Sequence, residues 1–125
     1  MAFQSPAAGY AEQRLHFGDL VSLSPHSTYI LRSASDYLDV GIVKDSLLAV
    51  DRGIVPRHGH IVTASVENEL AIRRLLLVPV PALLELSGDC SVKQLAESEH
   101  LPVWGVVAYV LTDMAGLGFN GVAPE

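Results

Sequence analysis

Apolar residues in this chain come in short runs separated by polar or Gly/Pro-bearing stretches, and none of the runs sustains a long helical period. They read TYILRS at 28–33, SLLAVDR at 46–52, IVTASV at 61–66, LAIRRL at 70–75, PALLELS at 81–87 and VWGVVAYVL at 103–111. Most are rich in β-branched or aromatic residues, which lose side-chain freedom in a helix and pack well on a pleated surface. LAIRRL fits a helix by pattern alone; set beside IVTASV, with Glu67-Asn68-Glu69 where a turn falls, it predicts the second arm of a hairpin. Ser24-Pro25 predicts a turn ahead of the first strand. Short strands at regular spacing predict a mostly β domain with little helix.

Outside these runs the pattern weakens. Residues 1–13 are rich in Ala, Ser, Gly and Pro and offer too little apolar surface to offset the entropy of ordering them. The expected organisation is an N-terminal arm over 1–22, a β domain over 23–113 and a loose tail over 114–125 that holds Gly116, Gly118 and Gly121. There is no internal repeat.

Composition narrows the function classes. With 125 residues, half of them hydrophobic, one domain with a real core is expected. A formal charge of −6, from 8 Lys+Arg against 14 Asp+Glu, argues against direct nucleic-acid binding, which needs clustered cations to release counterions. Cys90 is the sole cysteine, so neither an intrachain disulfide nor a zinc-type Cys/His set is expected. No apolar run approaches the ~20 residues that span a bilayer, and the first residues lack a basic stretch followed by an apolar one. The expectation is a cytoplasmic protein without membrane contact, cofactor or metal.

Several constellations invite a chemical reading and have a plainer one beside it. Ser33 or Ser35 with a histidine and Asp36 or Asp39 spells a triad on paper, but no G-x-S-x-G elbow is present. His58-Gly59-His60 offers two imidazoles to a metal, yet reads as a turn before a strand with no third ligand nearby. Arg73-Arg74 suggests an anion clamp, although adjacent strand residues face opposite sides. Glu97 and Glu99 read as a polar loop, with nothing to place them across a cleft. Tyr10, Tyr29, Tyr37 and Tyr109 do not alternate with basic residues, so no base-stacking platform is expected.

One stretch goes further. SASDYLDVGIVKDSLLAVDR, at 33–52, resembles the active-site segment of the LexA/UmuD family of self-cleaving proteins, with Asp39, Gly41-Ile42, Leu47-Leu48-Ala49-Val50 and Asp51 falling in place. SPAAGYAEQRL at 5–15 resembles the arm just past the family's self-cleavage site, on the UmuD side of the family. HSTYILRS, HGHIVTASVENELAIRRL and LPVWGVVAYVL resemble successive UmuD strands. The resemblance runs from 5 to 111; the tail after Thr112 has no counterpart.

The resemblance implies a bent, mostly antiparallel β fold and a Ser–Lys dyad, in which a buried neutral Lys takes the Ser proton. Aligned on Gly41-Ile42, the nucleophile position is Asp36; aligned from the upstream strand it is Tyr37. The base position is Arg73, whose guanidinium accepts no proton at neutral pH. The expectation is therefore a pseudo-peptidase, with an Asp36–Arg73 ion pair where the family has Ser and Lys. The chain also begins where the family's processed form would begin. The implied function is that of a processed UmuD-like homodimer serving a UmuC-type Y-family translesion polymerase in SOS mutagenesis, together with the RecA filament. The alternatives are an active serine peptidase using Ser35, and a decoy that forms mixed dimers with full-length UmuD.

Overall fold

A computed structural model describes residues 16–86, 91–95 and 101–121. Most of the arm, Cys90 and the Glu97/Glu99 loop lie outside the described residues. After a four-residue helix, α1 (Phe17–Leu20), the chain forms β1 (Thr28–Arg32), β2 (Leu47–Asp51), β3 (Ile61–Val66), β4 (Glu69–Leu76), β5 (Ala82–Leu84), β6 (Val92–Gln94) and β7 (Val103–Leu111). They make one seven-stranded sheet in the order β1-β2-β7-β3-β4-β5-β6, with every pairing antiparallel.

The mostly β domain read from the sequence is present, with two local differences. The β3–β4 turn uses only Glu67 and Asn68, both in the left-handed region (φ 52° and 67°), so Glu69 opens β4 rather than closing the turn. The segment at 81–87 narrows to three strand residues and pairs with β6, which hydrophobic patterning misses because all three of its residues are exposed.

Side chains alternate across the sheet, and each face carries a core cluster. One face holds Val62, Ala64, Leu75, Leu83 and Val106. The other holds Ile42, Leu48 and Val50, with Leu31, Tyr37, Ile61, Ile72, Trp104 and Val107 packed around them. Strand β7 contributes to both by alternation and is bulged twice. Thr63 pairs with Gly105 but Ala64 with Val103, leaving Trp104 as the extra residue; Ala49 pairs with Tyr109 but Val50 with Val107, leaving Ala108. The first bulge puts Val103 on the same face as Val106, and Trp104 on the same face as Val107.

Candidate functional site

The segment between β1 and β2, where the family's nucleophile would fall, is a loop closed twice by its own backbone. At the neck the Ser33 amide donates to the Ser46 carbonyl (2.9 Å) and the Asp45 amide to the Ser33 carbonyl (2.8 Å). Further in, the Tyr37 amide donates to the Ile42 carbonyl (2.7 Å) and the Ile42 amide returns a bond to the Tyr37 carbonyl (3.1 Å). Between Tyr37 and Ile42 runs a single 3-10 turn, Leu38–Val40, ended by Gly41 at φ 78°, a value that a side chain would disfavour. Ile42 is the plug that fixes the loop to the sheet, with 1% of its surface exposed in the cluster with Leu48 and Val50.

This architecture sets the candidate residues. The Asp36 carboxylate accepts the Lys44 amide (2.7 Å) and so is engaged in shaping the loop. Tyr37 is half-buried against the Ile42 cluster and lines a cleft of about 290 Å³ with Leu31, Arg32, Thr63 and Ile72. Ser33 is buried, and its hydroxyl donates to the Ser35 carbonyl (2.7 Å). Ser35 is exposed, and its hydroxyl has no hydrogen bond to an imidazole or an amine among the described residues.

Arg73 is not on that side. In β4 it follows Ile72, which packs against the cluster that holds Tyr37, and strand alternation sends Arg73 to the opposite face. The register that pairs Arg74 with Leu84 sets Glu85 across from Arg73. Its guanidinium lies 3.8 Å from the Glu85 carboxylate through Nη2 and donates through Nη1 to the Ile72 carbonyl (2.9 Å). The Asp36–Arg73 ion pair expected from the sequence is therefore not formed. One partner is held by a backbone amide, and the other by a carboxylate that only strand register brings near.

The remaining candidates resolve into structural roles. The Arg74 guanidinium donates to the Gly59 carbonyl (3.0 Å), so Arg73 and Arg74 make no joint clamp. His60 Nδ1 accepts the Arg57 amide (3.0 Å), and His58 Nδ1 accepts the Leu77 amide (2.8 Å). In both rings Nδ1 is thus taken up by a backbone amide. No group of three ligand-type residues suited to a metal occurs among the described residues. Asp51 is buried and accepts from the Ser27 hydroxyl (2.7 Å) and the Gly53 amide (2.7 Å), which together hold its carboxyl below the usual range.

What sequence reasoning missed is a contact cluster. Tyr29, Trp104 and Arg52 come from three separate segments and meet through strand pairing: the Tyr29 and Trp104 rings are 5.0 Å apart, and the Arg52 guanidinium lies 4.6 Å from the Trp104 ring centre. No local spacing signals it.

Comparison with known proteins agrees with the loop's sequence. The Peptidase S24-like family model matches residues 1–107. The chain belongs to this family. It is similar to Protein MucA of Salmonella typhimurium, 36% identical over 113 residues, which cover 89% of this chain and 77% of that protein. It is also similar to Protein ImpA of Shigella flexneri, 37% identical over 110 residues (87% and 75%). Protein SamA of Salmonella typhimurium is 32% identical over 106 residues (84% and 74%). Within the S24-like family the chain is thus a UmuD-like member, and its antiparallel sheet agrees with the LexA/UmuD C-terminal fold. No helix among the described residues is long and apolar enough to cross a membrane.

Proposed function

We propose that this protein is a catalytically inactive, UmuD-prime-like homodimeric accessory subunit of a UmuC-type Y-family translesion polymerase, acting with the RecA filament in SOS mutagenesis. The reading is carried by one observation. The loop that would present a nucleophilic serine instead presents Tyr37 to the cleft, while Arg73 turns to Glu85 on the other face. A guanidinium accepts no proton at neutral pH, and a base must come within hydrogen-bond reach of the nucleophile it activates. Similarity to MucA and ImpA supports the mutagenesis role, and the net charge of −6 supports partners that are proteins, with DNA contact left to them.

The test is copurification with a UmuC-type polymerase, followed by primer extension across an abasic site with RecA filament present. A stable complex with restored bypass is the expected result. Failure to form that complex, with mixed dimers formed instead with a full-length UmuD, would replace the helper by a decoy. Labelling of Ser35 by a serine-reactive covalent probe would replace both by an active peptidase.

A further inference from the structure

The apolar cluster that supports Tyr37 also supports Trp104, the molecule's only tryptophan. Arg52 lies over that indole, and its Nε donates to the Trp104 backbone carbonyl (2.9 Å). Tyr29, 46% exposed, flanks the same ring at an interplanar angle of 59°. The ring contact and the Nε bond together restrict the guanidinium, and its two Nη nitrogens make no hydrogen bond among the described residues. No carboxylate among the described residues lies within ion-pair distance of Arg52. Its neighbour Asp51 is bonded to Ser27 and Gly53. The segment that Arg52 opens, RGIVPRHGH at 52–60, carries Arg57, His58 and His60 and no acidic residue, in a chain whose net charge is −6.

A guanidinium over a half-exposed indole, with no carboxylate in ion-pair distance among the described residues, suits a planar anion brought by a partner. The fork matches a carboxylate, and Trp, Tyr and Arg are the side chains that most often dominate binding energy at protein interfaces. A single-stranded nucleic acid would use the same ring-and-cation chemistry, but tracking its phosphates takes several clustered cations, whereas a single carboxylate needs one guanidinium fork. We infer that Tyr29, Arg52 and Trp104 form a docking point for an acidic segment of a partner protein, with a side-chain carboxylate taken by the Arg52 Nη groups. The inference does not depend on Tyr37 or Arg73.

Trp104 fluorescence reports directly on this site. The full chain is titrated with a capped glutamate-rich peptide, with a glutamine-substituted peptide of equal length, and with oligothymidylate, and calorimetry supplies a second affinity. The glutamate peptide should give a saturable change that salt weakens, and the glutamine peptide none. Arg52→Gln should weaken binding by about tenfold or more, whereas Arg57→Gln, which removes a like charge from the same segment, should leave it within about twofold. Arg52→Lys, which keeps the charge and loses the fork, should fall between wild type and Arg52→Gln, and it supplies the comparison should Arg52→Gln not fold. No saturable response to the glutamate peptide, equal losses for Arg52→Gln and Arg57→Gln, or a response to oligothymidylate alone would overturn the inference.

Discussion

Gly105 packs directly against the core. A Cβ there would stand 2.6 Å from Val50 Cγ1, and Val50 is fully buried. Overpacking of this kind costs about 1–3 kcal/mol, so Gly105→Ala should lower stability by that amount in urea unfolding. Combined with Val50→Ala it should cost less than the sum of the two single changes, because that change removes the atom that clashes. Asp51 gives a second prediction. The Ser27 hydroxyl, and after it the Gly53 amide, lower its folded pKa below that of the unfolded chain. Its contribution to stability is then complete above the ordinary carboxylate range and is lost as pH falls through the folded value. Asp51→Asn should therefore be less stable than wild type at neutral pH and lose less stability between neutral pH and about pH 2. Thermal melts across that range measure the difference.

Among the elements, the strands rich in β-branched residues were legible in the sequence. IVTASV and VWGVVAYVL coincide with β3 and with β7, the longest strand of the sheet. Strand β6 was not, since Val92–Gln94 is wholly exposed and owes its existence to pairing with β5 rather than to burial. The candidate site divides in the same way. The resemblance to the LexA/UmuD family pointed to the 33–46 loop and Arg73, but the direction in which Arg73 points depends on the β4–β5 register, and that register is not local. The Tyr29–Trp104–Arg52 cluster depends on two strand pairings and on a bulge. The β3–β4 turn carries a local misfit that can be relieved. Glu67 holds φ 52° and Asn68 φ 67°, a geometry suited to Asn-Gly. Replacing the pair by Asn-Gly should raise stability by about 0.5–1 kcal/mol, measured as a higher urea midpoint at unchanged slope.

For the whole molecule, the proposed homodimer has a physical basis in what the sheet leaves uncovered. Register aligns Ile30, Ala49 and Tyr109 in one row and Arg32, Leu47 and Leu111 in the next, so Ile30, Tyr109 and Leu111 share a face. All three are exposed, Ile30 at 52% and Leu111 at 45%, beside an edge strand that lacks a neighbour among the described residues. Such an edge calls for a cover. Leu111→Glu should dissociate the dimer in sedimentation equilibrium without lowering the melting temperature of the monomer.

The strand order has a consequence for how the chain is made. Strands β1 and β2 on one side and β3 to β6 on the other are hydrogen-bonded into one sheet only through β7, the last of these strands to leave the ribosome. Until residues 103–111 emerge, the nascent chain can form only two separate pieces of sheet, each with an open edge where β7 belongs. Closure must then bring together segments distant in sequence, which slows folding and prolongs exposure to proteases and to aggregation. A stop codon shortly before Val103 would thus release two unsatisfied fragments of sheet, whereas one after Thr112 would spare every strand.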